Sequence, residues 1–169
     1  MRRPEIRPAS LADAEVISGL YNALIATDTV AWTDEPESVD ERRAWIRVQE
    51  QRGHPVLVAD DGEVIGFASY GEFRDATKWP GYRFTVEHTI HVRGDRWGSG
   101  VGRALMEALL EVARADGKHV MVGGIDGAND ASLRFHQALG FVEVARMPEI
   151  GRKFDRWLDL VLVQRVLDP

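Results

Sequence analysis

The sequence predicts a mixed α/β (α+β) fold in which helices flank a central mixed sheet. Segments with the 3.6-residue period of amphipathic helices alternate with short apolar runs, and a glycine-rich segment joins one such run directly to the next helix. Helices come early, antiparallel strands occupy the middle, and a strand, loop, helix, strand, helix, strand succession follows. With 169 residues the chain fits one domain, which we expect to span residues 1–169.

Two capping boxes mark the beginnings of two helices in the first third of the chain. Ser10-Leu11-Ala12-Asp13 follows a short predicted strand at residues 4–8 and begins the first helix. Ser38-Val39-Asp40-Glu41 begins a second helix, which ends near Gly53. The first helix is expected to turn an apolar face to the core, formed by Ile17, Leu20, Tyr21 and Leu24.

The middle of the chain predicts strands. Residues 56–59 and 64–70 flank the turn residues at 60–63, which is typical of a β-hairpin. An aromatic, turn-rich segment precedes a further strand at residues 84–92.

Helices and strands alternate in the last third. The periodic segment 101–115 predicts a long helix that stops at Gly117, and Gly140 suits the position just after a shorter helix. The remaining predictions are a buried strand at 119–125, the short helix at 130–139, and strands at 141–147 and 157–166.

Composition argues against several classes of function. The chain is 44% hydrophobic and 28% charged, which is typical of a soluble globular protein, and no apolar run approaches the ~18 residues that span a bilayer. The net charge of −6 disfavours nucleic acid as a partner. No apolar segment follows Arg2 and Arg3, so we expect no secretory signal and a cytoplasmic location. The absence of cysteine excludes disulfides, thiolate metal sites and a cysteine nucleophile, and we expect no metal.

The segment Arg96-Trp97-Gly98-Ser99-Gly100-Val101-Gly102-Arg103 lies between a predicted strand and a predicted helix. Glycines let consecutive backbone N–H groups face one ligand, and the helix adds its unpaired N–H groups and positive dipole end. The segment therefore predicts a phosphate or pyrophosphate site, with a plain turn as the alternative. The dinucleotide pattern fails because Arg103 occupies its third glycine, and a Walker loop fails because no lysine follows Gly102.

Four further segments make the resemblance to a family specific. They are residues 81–89, 117–122, 129–141 and 151–160. Together with the glycine loop they resemble the GNAT superfamily of N-acetyltransferases, and within it the phosphinothricin and methionine sulfoximine acetyltransferase branch. The resemblance implies the GNAT acyl-CoA N-acyltransferase fold, acetyl-CoA as co-substrate, and a homodimer formed through the late strands.

The resemblance also implies which residues bind acetyl-CoA. The pyrophosphate would lie on Trp97, Gly98, Ser99, Gly100, Val101, Gly102 and Arg103, although Trp97 stands where the superfamily usually has Gln or Arg. Arg96 or Arg103 would then supply the positive charge. A bulge in the strand, here at Ile90, His91 and Val92, would offer N–H groups to the thioester and pantetheine. Asn129 and Ser132 would contact the pantetheine arm, serve as helix cap and first-turn residues, or do both.

Acetyl transfer needs a neutral amine, and free α-amines titrate near ~8, so a proton acceptor is required. By resemblance Glu87 is the general base; the alternative is a strand glutamate that faces solvent. Strand alternation places Glu87 and His91 on one face and His88 on the other. His88 is either a second base or a scaffold residue. His136 stands where many members have a tyrosine and would protonate the leaving thiol, with a structural role as the alternative.

The acceptor is expected to be a small amino-acid-like amine. By resemblance Arg74, Tyr82 and Arg83 lie over it, with the arginines suited to its carboxylate, and Thr89 and Trp32 lie nearby. Methionine sulfone and methionine sulfoximine are favoured over phosphinothricin, with direct transfer in a ternary complex. The alternatives are transfer to protein N-termini or polyamines, and a non-catalytic acyl-CoA sensor; the two arginines disfavour polyamines.

Overall fold

The computed structural model describes residues 4–167, within which seven strands and four α-helices form one sheet with helices on both faces. The strands are β1 Glu5–Pro8, β2 Val56–Asp60, β3 Val64–Glu72, β4 Thr85–Val92, β5 Val120–Asp126, β6 Val142–Lys153 and β7 Arg156–Val166. The helices are α1 Ala14–Ile25, α2 Val39–Gln51, α3 Val101–Ala115 and α4 Asp130–Gln137, and short 3-10 turns cover Leu11–Asp13, Pro80–Tyr82 and Gly94–Arg96.

The strand order is β1-β2-β3-β4-β5-β7-β6, and β4 and β5 are the parallel neighbours. Their pairing covers only Thr85–Glu87 against Val120–Val122. Beyond that point β4 stays paired with β3 as far as Val92, whereas β5 stays paired with β7 as far as Asp126. The sheet therefore opens between the carboxyl halves of β4 and β5, and we call this opening the strand gap.

Each face of the sheet has its own apolar core. On one face α3 turns its apolar side to the strands, burying Leu105, Met106 and Leu109 completely. On the other face α1 and α2 pack through Ile17 and Ile46 against Val58 and Phe67. The hydrophobic surface removed from water on both faces is what holds the two halves of the sheet on either side of the strand gap.

Local sequence signals act as predicted at the helix beginnings. Ser38 caps α2: its Oγ accepts from the Glu41 N–H (3.2 Å), and the Glu41 carboxylate accepts from the Ser38 N–H (2.7 Å). The Asp13 carboxylate likewise accepts from the Ser10 N–H (2.7 Å), although a 3-10 turn separates Ser10 from α1. Helix α3 has the predicted bounds, and Gly117 follows it with φ +69°.

The last hairpin is longer than predicted. Strand β6 continues from Val142 to Lys153 instead of ending at Met147, because the chain passes Pro148 through a register shift and then resumes pairing at Gly151. Phe154 and Asp155, both at positive φ, form the tight turn into β7. The fourth helix ends at Gln137, two residues before its predicted end.

Within residues 4–167 no helix is long and apolar enough to cross a membrane. Residues 1–3, considered above for a secretory signal, lie outside the described residues.

Candidate active site

The strand gap brings together Glu87 and His88 of β4 with two consecutive glycines of β5. A Cβ on Gly123 would lie 2.5 Å from His88 Nε2, and a Cβ on Gly124 would lie 3.5 Å from Glu87 Oε1. The glycines therefore leave the space that the two β4 side chains occupy. Two glycines in an otherwise buried strand were a sequence signal for this close approach.

The predicted bulge at Ile90–Val92 is wrong for the ladder between β3 and β4, whose register is continuous from Val86 to Val92. Residues 90–92 nevertheless have no β5 partner within the described chain. The strand gap therefore leaves this edge of β4 open, as a bulge would. Glu87 and His88, which point to opposite faces of the strand, are both among the residues that line one cavity.

His88 and His136 form a stacked pair with ring centroids 5.0 Å apart and Nε2 atoms 3.2 Å apart. His136 Nδ1 lies 2.7 Å from the Ser132 carbonyl oxygen, which can only accept, so Nδ1 carries the proton. In the neutral ring Nε2 of His136 is then an acceptor, and His88 Nε2–H donates to it. His88 Nδ1 is left as a buried acceptor without a hydrogen-bond partner in the described chain.

Burial makes these imidazoles hard to protonate. Burial, reinforced by the neighbouring imidazoles of His136 and His91, lowers the pKa of His88 to about 3. Burial also lowers the pKa of His136, although its bond to Ser132 opposes the shift. His91 lies on the other face of β4 against Phe67, and burial lowers its pKa to about 4.

Glu87 shifts in the direction that suits a proton acceptor near neutral pH. Its residue is open to solvent on one side, yet desolvation within the strand gap raises its pKa. The positive charge of Arg74 opposes this shift in the pKa of Glu87.

The glycine loop ends at the N-terminus of α3, beside the strand gap. Gly98 and Gly100 have φ +73° and +89°, and neither has a heavy atom within 4 Å of an added Cβ. Gly100 is the N-cap of α3, and no side chain caps this end. No side-chain cap therefore occupies the first-turn N–H groups of this 15-residue helix, which suits an anion.

The arginines around this loop have carboxylate partners. Arg96 pairs with Asp61 (3.3 Å), and Arg103 pairs with Glu107 (3.4 Å) within α3. Trp97, which is 62% exposed, donates its indole N–H to the Val92 carbonyl (2.8 Å). The backbone N–H groups, and not a free cation, are thus the main feature for binding an anion here.

Asn129 is the N-cap of α4, and its side chain accepts from the Ser132 N–H (3.0 Å). Ser132 supplies the carbonyl that fixes the tautomer of His136. The capping role predicted for these two residues is confirmed, and their contact with pantetheine stays a prediction.

A cavity of about 450 Å³ lies against β4 on the side of α1 and α2. Glu87, His88 and Thr89 line one part of it, and Tyr21, Glu37, Arg42, Trp45 and Gln49 line another. The predicted residues Trp32, Arg74, Tyr82 and Arg83 are not among its lining residues, and their contact with substrate stays a prediction.

These four residues lie outside the α-helices and strands and are not part of the cavity lining. Arg83 donates to the Pro80 carbonyl (2.9 Å) and covers the Phe84 ring, while Arg74 lies over Phe73. Tyr82 is 42% exposed, with its ring 6.1 Å from that of Phe73. The Trp32 ring lies directly over Gly151 of β6, where a Cβ would collide with it.

The loop between α1 and α2 is held by buried polar groups that the sequence did not reveal. Lys153, 3% exposed, donates to the carbonyls of Asp28 (2.8 Å) and Ala31 (2.6 Å). Asp126 accepts from Thr29 (2.5 Å) and Arg156 (3.1 Å). Burial would raise the pKa of Asp126, but these bonds and the Ala128 N–H lower it.

Arg42 is one of several residues of the cavity lining that the sequence did not point to as site residues. Arg42, Ile46 and Gln49 are buried on one face of α2, so a cation is present in the stripe that packs against the sheet. The signal was available, because these positions follow the i, i+4, i+7 spacing of a buried face.

A carboxylate with a raised pKa, an open parallel strand pair and an uncapped helix N-terminus together suit an enzyme that transfers an acyl group from a phosphate-bearing carrier. The model of the acetyltransferase (GNAT) family matches residues 17–141. The chain belongs to this family, and it is an N-acetyltransferase.

Curated relatives and solved structures agree with this membership. The chain is 45% identical over 166 residues to an L-methionine sulfoximine/L-methionine sulfone acetyltransferase of Pseudomonas aeruginosa, covering 97% of this chain and 95% of the relative. It is 35% identical over 160 residues to a phosphinothricin N-acetyltransferase of Alcaligenes faecalis, covering 92% and 79%. The fold resembles that of the acetyltransferase yncA from Salmonella typhimurium, solved with acetyl-CoA: TM-score 0.93, 42% identity, 99% and 95% of the two chains.

The buried histidines predict that the free energy of unfolding falls as the pH drops below 6.5. The unfolded chain binds protons at the ordinary histidine pKa of about 6.5, whereas folded His88 and His91 resist protonation down to about 3 and 4. Stability is therefore complete above pH 6.5 and declines towards pH 4. Replacing His91 by Phe should reduce the loss between pH 7.5 and 5.5 by about 1 kcal/mol, measured by urea unfolding.

Phe67→Leu is the control for His91→Phe, since it disturbs the same ring packing without removing a titrating group. It should lower stability by a similar amount at both pH values. An unchanged pH dependence in His91→Phe would contradict the burial of a neutral imidazole.

Gly123→Ala should destabilise the fold by about 1–3 kcal/mol and lower kcat, because the new methyl group would collide with His88 and touch Val163. Urea unfolding and steady-state kinetics measure both effects. Gly19→Ala in α1 is the control: no heavy atom lies within 4 Å of its Cβ, so it should stabilise by up to about 1 kcal/mol. Equal stability of Gly123→Ala and the parent would refute the close approach of β4 and β5 side chains.

Proposed function

We propose that this N-acetyltransferase transfers the acetyl group of acetyl-CoA to the α-amine of methionine sulfoximine or methionine sulfone, with phosphinothricin a weaker acceptor. The observation that carries the proposal is the position of Glu87, which has a raised pKa and belongs both to the strand gap and to a cavity of about 450 Å³. The names of the P. aeruginosa and A. faecalis relatives support these acceptors.

Acetyl-CoA fits the strand gap as co-substrate. Its pyrophosphate suits the first turn of α3, where backbone N–H groups face open space at Gly98 and Gly100. Its pantetheine arm suits the unpaired edge of β4 at Ile90–Val92, whose polar backbone groups no β5 residue uses. The S. typhimurium structure with acetyl-CoA supports this placement.

The reaction is direct transfer in a ternary complex. Glu87 accepts a proton from the substrate ammonium, and the lone pair of the freed amine attacks the thioester carbonyl carbon. As the tetrahedral intermediate collapses, the C–S bond breaks and coenzyme A leaves with the electron pair of that bond. The attacking nitrogen gives up its second proton, which converts the thiolate to the free thiol and leaves the neutral amide. A thiol of pKa near ~8.5 leaves readily with modest proton donation.

The histidine tautomers favour a positioning role for His136. Its Nδ1–H is bound to Ser132 and its Nε2 accepts from His88, so neither nitrogen of the neutral ring has a free proton to give. The low pKa of His88 makes it a weaker base than Glu87 at neutral pH. Proton donation by His136 and base catalysis by His88 both stay predictions.

A second candidate acceptor is a cationic amine such as a polyamine. Arg74 and Arg83 would disfavour a polyamine, but neither lines the cavity, whereas Glu37, Glu72 and Glu87 do. These acidic groups favour a cation. Transfer to protein N-termini stays open as well, while the non-catalytic sensor is set aside because the chain is an acetyltransferase.

We also propose a homodimer formed through β6 and β7, within a single domain of residues 1–169 in the cytoplasm. Strand β6 is an edge strand. The hairpin exposes large apolar side chains, among them Val142 (59%), Ile150 (48%), Phe154 (50%) and Trp157 (59%). An unpaired edge with this much exposed apolar surface is typical of a protein interface.

The acceptor is tested by thiol release from acetyl-CoA with L-methionine sulfone, L-methionine sulfoximine, phosphinothricin, spermidine and an alanine-starting peptide. Turnover is expected with the sulfone and the sulfoximine, and Glu87→Gln should lower kcat by about 10²–10⁴-fold because the amide cannot accept the proton. Acetyl-CoA affinity of the variant, measured by calorimetry, should stay unchanged.

Glu50→Gln, on the exposed face of α2, is the matched control and should retain the parent kcat. Turnover with spermidine alone would move the proposal to the cationic amines. A Glu87→Gln variant as active as the parent would remove Glu87 as the base.

The dimer is tested by size-exclusion chromatography with light scattering at micromolar concentration, where a mass of twice 18.9 kDa is expected. Val144→Glu places a charge on β6 and should shift the mass to that of one chain. Val16→Glu, at an exposed position of α1, is the control and should not change the mass. A monomeric parent protein would contradict the proposal.

A further inference from the structure

Arg42 is a buried cation within an aromatic setting at the cavity wall. Its side chain is 6% exposed. The guanidinium carbon lies 4.4 Å from the ring centroid of Trp45, 5.1 Å from that of Tyr21 and 5.4 Å from that of Phe67. Three rings therefore hold the guanidinium in place on its faces and leave its edge for hydrogen bonding.

Most of the N–H groups along the edge of the Arg42 guanidinium have no hydrogen-bond partner in the described chain. Arg42 Nε donates to Glu37 Oε1 (2.5 Å), and within residues 4–167 the two Nη groups have no hydrogen-bond partner. A guanidinium has five N–H donors, and leaving donors of a buried charged group unpaired is costly. Arg42 lines the same cavity as Glu87, so that cavity is where an acceptor for these donors would lie.

The charges around Arg42 limit what that acceptor can be. Glu37 already balances the guanidinium charge, and the carboxylates of Glu72 and Glu87 also line the cavity. A second full anion would therefore be repelled, whereas an uncharged group with strong acceptor oxygens can use the free N–H groups without adding negative charge.

We propose that the free Nη donors of Arg42 bind the sulfonyl or sulfoximine oxygen of the acceptor's side chain, which makes Arg42 a specificity-determining residue. This inference rests on the proposed function. The α-amine lies at Glu87, the side chain runs through the cavity towards α2, and the terminal S-methyl group packs on the rings of Tyr21 and Trp45. A phosphinate, which is anionic, meets the surplus of carboxylates and binds more weakly.

The test compares L-methionine sulfone with L-methionine, which has the same skeleton without the two oxygens. In the parent, kcat/KM favours the sulfone. Arg42→Met should raise KM for the sulfone about 10–100-fold, the worth of hydrogen bonds from a charged donor, with little change in kcat or in KM for methionine. The preference for the sulfone is then lost.

Two further variants separate recognition from folding. Arg42→Lys keeps the charge but not the forked donors, and its KM for the sulfone should fall between those of the parent and Arg42→Met. Arg43→Met removes the exposed neighbouring arginine and should behave as the parent. Thermal unfolding and acetyl-CoA affinity of each variant establish that the fold is intact.

The possible outcomes are distinct. A parent enzyme that does not acetylate the sulfone refutes the proposed function, and the role of Arg42 with it. A parent that acetylates the sulfone, combined with Arg42 variants that raise KM equally for sulfone and methionine, refutes only the inference on Arg42. Weakened sulfone binding in both Arg42 variants, with methionine unaffected, supports it.

Discussion

The short parallel pairing of β4 and β5 is the constraint on which the candidate site depends. Three residue pairs join the two strands, after which each continues with its outer neighbour alone. Buried backbone groups normally pair, so an unpaired stretch in the middle of a sheet must be repaid by a ligand or by water. Glu87 and His88, at the start of this opening, both line the cavity, and β4 has no bulge there. Gly123 and Gly124 complete it, since side chains there would occupy the space of those two residues.

The distant end of the chain supports one side of this site. Lys153 holds the loop between α1 and α2 by two carbonyl bonds, and Asp126 holds it through Thr29. The Lys153 side chain is buried and donates to two backbone carbonyls of that loop, so these bonds depend on the precise path of the loop. The β6–β7 hairpin thereby couples to the loop that carries Trp32. If the hairpin is also the dimer interface, as proposed, association and the position of this loop are linked physically.

Sequence periodicity and turn chemistry were sufficient for most elements and insufficient for the site. Helix α3 was predicted to the residue, because a strongly amphipathic segment lies between Gly100 and Gly117. Strand β6 was predicted too short, since Pro148 and Gly151 look like a strand end in the sequence, whereas pairing with β7 continues the strand past them.

The strand gap depends on where pairing between distant segments stops, and no local sequence pattern shows where that is. Arg42 was missed for a different reason: its spacing with Ile46 and Gln49 is that of a buried helix face, but a charged side chain on a helix is normally expected to face water.

With the proposed roles of Glu87 and Arg42, the chemistry of transfer is separated from the recognition of the acceptor. Glu87 needs partial desolvation to raise its pKa, but it also needs access to the amine, and an edge of the strand gap provides both. Arg42 is far more buried, and its cost is acceptable only because Glu37 balances the charge and aromatic rings cover the guanidinium faces. A buried donor set that is incomplete in the free protein discriminates more strongly than an apolar pocket, because a guest without the matching oxygens leaves the donors unpaired. Proton acceptance and acceptor recognition therefore belong to residues that differ in their exposure to water. A single cavity that is open at Glu87 and closed at Arg42 meets both needs.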